Sequence, residues 1–325
     1  MTIAAIPDAS QTLVFDRTRE RGRLVVTGAD RTSWLQGLLT NDIAALRPGM
    51  GAYAGYLTPQ GRMVTDMVVL VHDDEVLVDV PHVSLADVAA KFELFVIMED
   101  VVVRDATGTL SCLSVHGQAV ARVLGLDPKV LPDLEHHHVT TNVCGVAATI
   151  AVSHELGGPG VDVYVAHDHC RIAWAGLVAN GGVAAGDEAW EHRRVLAGRP
   201  RFGVDMGSQT IPPEAGIEGR AISATKGCYV GQEIIVRMRD IGHGRVAKRL
   251  VGLRALGSAQ MVAGDMLRRD DRDVGVVTSV THHPSTGRSI ALGTVHRDAA
   301  AEETELVATD GGRTADVMVV GLPFA

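Results

Sequence analysis

Lys226-Gly227-Cys228-Tyr229-Val230-Gly231-Gln232-Glu233, running on into Ile234-Ile235-Val236-Arg237, is the stretch on which the reading of this chain turns. It sets an ammonium, a thiol, a phenol, an amide and a carboxylate beside two glycines. Such a mixture makes poor core, but it supplies donors and acceptors of several kinds around a backbone free to turn tightly. It reads as a site. The β-branched run Ile234 to Val236 predicts a short strand leaving it. Cys228 is the one cysteine set among polar neighbours; Lys226 favours its thiolate and Glu233 opposes it. No histidine partner is evident, the nearest in sequence being His243. An iron or cluster ligand would need further thiolates, and the chain offers no compact set.

The chain of 325 residues exceeds one compact domain of roughly 100–200 residues, which predicts two or three domains. Hydrophobic residues make up 46% and charged residues 21%, an ordinary globular balance that excludes a disordered or fibrous chain. A net charge of -9 argues against non-specific nucleic-acid binding. The opening Met1 to Ser10 has no leader pattern, and nowhere is there an apolar run of about 18 residues to span a bilayer, so a cytoplasmic protein is expected. Four scattered cysteines without a Cys-x-x-Cys pair suggest neither a disulfide scaffold nor a zinc knuckle. The groups His136-His137-His138, His167-Asp168-His169-Cys170 and His282-His283 lack a second cluster at ligand spacing; they read as polar loops, and no metal site is expected.

Upstream, Leu24 to Val26 predicts a strand, Asp30 a helix start with Trp34, Leu35, Leu38 and Leu39 on one face, and Ala52–Leu57 with Met63–Val71 a hairpin about Thr58-Pro59-Gln60-Gly61. Asp66 is the polar exception in its strand and by pattern alone belongs on a solvated face. Val83 to Met98 and Ala184 to Gly198 predict helices, the second carrying Trp190 among charged residues. Beyond Asp240, short apolar runs at 249–253, 274–280, 289–295 and 315–320, parted by turn residues, predict a small barrel or sandwich. Strands, hairpins and helices in this mixture give an α+β fold.

The Lys-Gly-Cys-Tyr-x-Gly-Gln-Glu segment resembles the signature of the YgfZ/GcvT-like folate-binding family, and Gly28 to Asp42, the hairpin around Asp66 and Arg193 to Phe202 are similar to its other blocks. The resemblance implies two α+β domains (1–105 and 106–243) and a C-terminal barrel (244–325) around a central channel for tetrahydrofolate or a one-carbon derivative. It further implies Asp66 as the acid/base or ligand-polarising group and Cys228 as the special thiol. Asp66, Trp190, Lys226, Tyr229, Gln232, Glu233 and Arg237 would contact the folate, while Gln36, Thr40 and Asn41 would line the pocket. The activity implied is support of iron–sulfur cluster assembly or repair and of iron–sulfur-dependent tRNA modification. Iron–sulfur enzymes or assembly proteins would be partners, with no direct nucleic acid and no membrane. The alternative is a folate-dependent aminomethyltransferase or demethylase of the glycine-cleavage T-protein type. One departure bears on that alternative: Leu196 stands where the T-protein carries a glutamate. A third reading is a binding module without folate.

Overall fold

The computed structural model describes residues 10–240 and 245–324. His243, the expected domain boundary at 243/244 and all but the last residue of the stretch Met1 to Ser10 lie outside the described residues. The chain divides into two compact units: Met1–His154, Gly158–Asp187 and Gly219–Gln232 form the first, and Glu155–Gly157, Glu188–Glu218 and Glu233–Ala325 the second.

The first unit contains, in chain order, β1 (Leu13–Asp16), β2 (Arg21–Thr27), α1 (Arg31–Leu38), β3 (Gly51–Leu57), β4 (Met63–Val71), β5 (Val76–Pro81), α2 (Leu85–Leu94), β6 (Val102–Asp105), β7 (Leu110–His116), α3 (Val120–Leu124), β8 (His138–Val143), β9 (Val146–Val152), β10 (Gly160–Ala166), α4 (Cys170–Ala179) and β11 (Val183–Ala184). They make a five-stranded sheet ordered β3-β4-β5-β2-β6 and a six-stranded sheet ordered β11-β1-β7-β10-β9-β8. Alternation along the strands decides how these layers stack, because successive side chains leave a strand on opposite faces. Leu24 and Val26 of β2, with Met67, Val69 and Val71 of β4, pack against Trp34, Leu35 and Leu38 of α1 and Val88 and Phe92 of α2. The intervening Val25, Leu70 and Leu77 meet Cys112, Ala151 and Tyr164 of the other sheet. Leu113, Val115, Ile150 and Val163 on that sheet's far side pack on Val120, Val123, Ala173 and Leu177 of α3 and α4. The unit is therefore helix, sheet, sheet, helix, and each sheet buries both faces.

Two expectations for this unit need correction. The helix predicted over 83–98 ends at Leu94, leaving Val83, Ile97 and Met98 exposed. Glu99 is the cause, since its carboxylate accepts from the N–H groups of Ile97 (2.9 Å) and Met98 (3.0 Å) and gives the backbone a turn in place of another helical one. The His136-His137-His138 segment is no solvated loop: His136 and His138 are buried, and His138 opens β8 with its ring 4.6 Å from that of His72.

Burial and the neighbouring His72 push the His138 imidazole down to about 4, and burial lowers His72 also, against the opposing carboxylates of Glu75 and Asp73. Between that value and the ordinary 6.5 the unfolded chain binds the extra proton, so stability is intact above the upper limit and falls as pH drops through the window. Urea unfolding of the first unit should show it weaker by about 2 kcal/mol on going from neutral to mildly acid buffer. In His138→Leu the same acidification should cost clearly less; an equal loss would assign the effect elsewhere.

The second unit contributes α5 (Asp187–Leu196, whose first residue still counts with the first unit) and six strands: β12 (Lys248–Ala255), β13 (Met266–Arg269), β14 (Arg272–His282), β15 (Ser289–His296), β16 (Glu305–Thr309) and β17 (Thr314–Val320). These close as a barrel in the order β12-β15-β14-β13-β16-β17 around Val251, Leu253, Leu267, Val277, Leu306 and Val317. The sequence suggested four of the six; β13 and β16 are too short and too polar to stand out. Two elements stand at unit boundaries, the one-turn α6 (Glu218–Ala221) and α7 (Gln232–Asp240). The strand expected at Ile234 to Val236 is in fact α7. Its amphipathic pattern buries Ile235 and exposes Ile234 and Val236, with Glu233 in the first turn and Arg237 and Arg239 in the last, charges that suit the helix dipole. No helix among the described residues is long and apolar enough to cross a membrane.

Candidate functional site

Asp66 lies on β4 opposite Gly55 of β3, and its parity places it with Val68 and Leu70 on the face turned away from α1 and α2. It is buried, not solvated as pattern alone suggests. Oδ2 accepts a hydrogen bond from the Tyr53 hydroxyl (2.8 Å), and Oδ1 is buried with no partner. Burial raises its pKa, opposed by the nearby Arg21 charge, the Tyr53 hydrogen bond and, more weakly, Arg220. A buried carboxylate with one idle oxygen and a raised proton affinity is ready to accept from a ligand N–H or to exchange a proton with it.

Residues distant in sequence brace this carboxylate. Arg21 is held by an ion pair to Asp79 on β5. The Arg220 guanidinium of α6 lies 4.8 Å over the Tyr53 ring and donates through Nη2 to Glu135 Oε1 (3.0 Å). Asn41 Nδ2 donates to the carbonyls of Tyr53 (2.8 Å) and Arg220 (3.0 Å), and Thr40 Oγ1 donates to Ala221 O while accepting from Gly55 N (2.7 Å). Gln36 turns its amide onto Asp42 and onto the N–H groups of Ile43 and Ala44. Gln36, Thr40 and Asn41 thus hold the backbone around β3 and α6. Tyr53, Arg21 and Arg220 escape sequence reading because nothing local marks them.

The signature is fastened to the end of α1. Lys226 Nζ donates to the carbonyls of Gln36 (2.7 Å), Leu39 (2.5 Å) and Asn41 (2.9 Å), satisfying groups that a helix terminus leaves open. Its half-buried ammonium, brought down to about 8 by burial, sits 5.2 Å from the Tyr229 ring centroid. Val230 N donates to Gly37 O (3.3 Å), and Tyr229 N to Gln232 Oε1 (3.3 Å). Gly231 has φ +81°, and a Cβ there would stand 2.3 Å from the Thr58 carbonyl, so only glycine fits beside the β3–β4 turn. Asn41 joins the two halves: its carbonyl takes Lys226, and its amide holds the Tyr53 backbone beside Asp66. The first unit accordingly brings Asp66 and the segment Lys226 to Gln232 into one hydrogen-bonded framework, with Cys228 exposed on it.

Trp190, Glu233 and Arg237 belong to the second unit. Trp190 is buried on α5, whereas Glu233 and Arg237 are exposed on α7. Next to Trp190 on α5 is a network with no sequence signal. Arg194, almost wholly buried, pairs with Asp205 (2.7 Å) and Glu191 (2.6 Å) and donates to Ser279 Oγ (2.8 Å) and Arg199 O (2.6 Å). Asp205 Oδ1 accepts from both Thr278 (2.6 Å) and Ser279 (2.7 Å). Successive strand residues normally face apart; an irregularity in β14 between Val277 and Ser279 turns both hydroxyls to one carboxylate. His192 Nδ1 is 2.7 Å from Thr281 Oγ1, and burial together with Arg193 and His282 lowers its pKa. Among the described residues no group of three or more His, Cys, Asp or Glu is placed to hold a metal.

Residues 10–226 match the GCVT N-terminal domain, and residues 248–325 match the glycine cleavage T-protein C-terminal barrel domain. Similar proteins include the aminomethyltransferase of Thermosynechococcus vestitus, 29% identical over 305 residues that make up 93% of this chain and 82% of that protein. The aminomethyltransferase of Rubrobacter xylanophilus is 29% identical over 307 residues, 93% of this chain and 80% of that protein. In three dimensions, the glycine cleavage system aminomethyltransferase T from Bartonella henselae shares the fold with a TM-score of 0.86 over 97% of this chain and 87% of that one, at 21% identity. With its α+β sheets and closed six-stranded C-terminal barrel, both parts matched in order, the chain belongs to the glycine cleavage T-protein family.

Proposed function

We propose that this chain binds tetrahydrofolate, or a one-carbon derivative of it, against the Asp66 face of its five-stranded sheet and serves one-carbon transfer of the aminomethyltransferase type. Tetrahydrofolate is the cofactor that goes with this family, and bound there it supplies the nitrogen that carries the one-carbon unit. The observation that carries the reading is the idle Oδ1 of a buried, proton-avid Asp66. Tyr53 fixes the orientation of that carboxylate, and Arg21 tempers its proton affinity. A polarised N–H of the folate is the partner that Oδ1 lacks.

A second reading is favoured by a specific observation: Cys228 stands exposed in a loop pinned on both sides of it. The resemblance adds that Leu196 stands where the T-protein carries a glutamate. Transfer at Asp66 asks nothing of that thiol. In this reading the folate-bound protein supports iron–sulfur cluster assembly or repair, and through it tRNA modification, in the manner of YgfZ, with Cys228 meeting an iron–sulfur partner. The contacts proposed for Trp190, Glu233 and Arg237 rest on the resemblance alone.

Titration with tetrahydrofolate, followed by tryptophan fluorescence, should saturate in the wild type and weaken by about tenfold or more in Asp66→Ala. No saturable change in the wild type rejects the folate site. The two uses separate cleanly. Formation of methylenetetrahydrofolate from an aminomethyl-loaded carrier protein supports transfer. Its absence, together with failure of Cys228→Ala to restore iron–sulfur enzyme activity in cells lacking the protein, supports the second reading.

A further inference from the structure

At the end of the barrel where β12 begins and β15 finishes, one concavity is lined by more arginines than carboxylates, in a chain whose net charge is negative. An open concavity of about 470 Å³ lies there, lined by Arg245, Arg249, Arg297 and Asp298 together with Ala300 and Ala301. Arg249 pairs across the sheet with Val295 and shares the inward parity of Val251, Leu253 and Ala255 on β12. An inward-facing strand position at this point lies at the barrel's mouth, where a guanidinium stands instead of the aliphatic side chains deeper in. The backbone of Arg297 is tied to the segment before β12, its N–H donating to Ala247 O (3.0 Å).

Asp298 is the one carboxylate in the lining, and it is already committed. Its Oδ1 lies 3.5 Å from Arg297 Nε, and its backbone N–H donates to His296 Nδ1 (3.4 Å). Arg245 and Arg249 have no acidic partner among the described residues. The chain as a whole has 39 acidic and 30 basic residues, so three arginines against one aspartate in one concavity run counter to its composition. Like charges gathered in a concave wall focus a positive potential and repel one another, and an anion entering the cavity relieves both effects. Guanidinium forks match the oxygens of carboxylates and phosphates in bidentate fashion, and a cavity of this size takes a small molecule, not a nucleic-acid duplex.

We propose that this barrel-mouth cavity is a binding site for a small oligoanion bearing two or more neighbouring carboxylate or phosphate groups, held by Arg249 and Arg297 with Arg245 at the rim. Its lining residues all belong to the second unit and none is shared with the Asp66 site, and the proposal does not depend on the one-carbon reading.

The test is calorimetric titration of the full-length protein with inorganic tripolyphosphate and, separately, with linear triglutamate. Saturable binding of either supports the site, and comparing the two identifies the preferred anion. Arg249→Ala combined with Arg297→Ala should weaken that binding by about tenfold or more, and added salt should weaken the wild type in the same direction. Both arginines are exposed, and an unchanged thermal transition verifies that the double variant folds. Arg104→Ala, an exposed arginine of the first unit, should bind as the wild type does. No saturable binding of either probe overturns the proposal, as does equal weakening in Arg104→Ala or undiminished binding in the double variant.

Discussion

Asp205→Ala should destabilise the second unit by about 3–5 kcal/mol, because it leaves the Arg194 guanidinium buried without the carboxylate that faces it. Both side chains are almost completely withdrawn from solvent, and Asp205 also accepts from Thr278, Ser279 and Arg201 N, so one substitution strands several donors together. Glu191 remains beside Arg194, which keeps the loss within that range. Asp205→Asn keeps the shape and one acceptor and should lose less. Chemical denaturation with a probe in the barrel measures both. The wild-type pair, being buried, should respond little to salt. A loss below about 1 kcal/mol in Asp205→Ala would show that the pair is solvated in solution and that the network does not hold α5 to the barrel.

The second large effect is expected at Asp66. Asp66→Asn preserves volume and leaves an oxygen to accept from the Tyr53 hydroxyl, so the fold should persist. The variant cannot exchange a proton, and a folate N–H would meet a neutral amide instead of a carboxylate. On the transfer reading, turnover should fall by about 10²–10⁴-fold, the usual range for loss of a positioned general acid or base. Formation of methylenetetrahydrofolate is the measurement. Tyr53→Phe should cost much less, since it removes the orientation of the carboxylate and not the carboxylate itself. Activity of Asp66→Asn within about tenfold of wild type would reject proton exchange at this residue and leave it a binding role.

Much of the architecture is readable before any coordinates. The alternation in β2 and β4, the β3–β4 hairpin, α1 after Asp30 and four barrel strands follow from period and turn chemistry. The failures have physical causes. Ile234 to Val236 looks like a strand by composition, but the polarity of its flanks, acidic before and basic after, favours a helix, and burial of Ile235 alone settles it. Histidines at 136 and 138 look polar one at a time, yet both are buried, His138 with its ring against that of His72. Tyr53, Arg21 and Arg220 around Asp66, and Arg194, Asp205 and Ser279 in the second unit, are pairings across tens to hundreds of residues, and no local pattern encodes them. The signature stands out because a mixed polar loop conflicts with core packing wherever it occurs, whereas Asp66, which by pattern alone belongs on a solvated face and is in fact buried, is marked only by the family resemblance.

The three carbonyls of Gln36, Leu39 and Asn41 converge on one nitrogen of Lys226 from different directions. An ammonium has three N–H vectors splayed as a tripod and can satisfy all three at once, whereas a guanidinium is flat and directs its hydrogens in a plane. Charge is thus the lesser part of what position 226 requires. A Lys226→Arg exchange, mild by charge and size, would leave helix-end carbonyls facing no donor and push the loop off its seat, so the identity of this residue answers to the tripod geometry of its hydrogens.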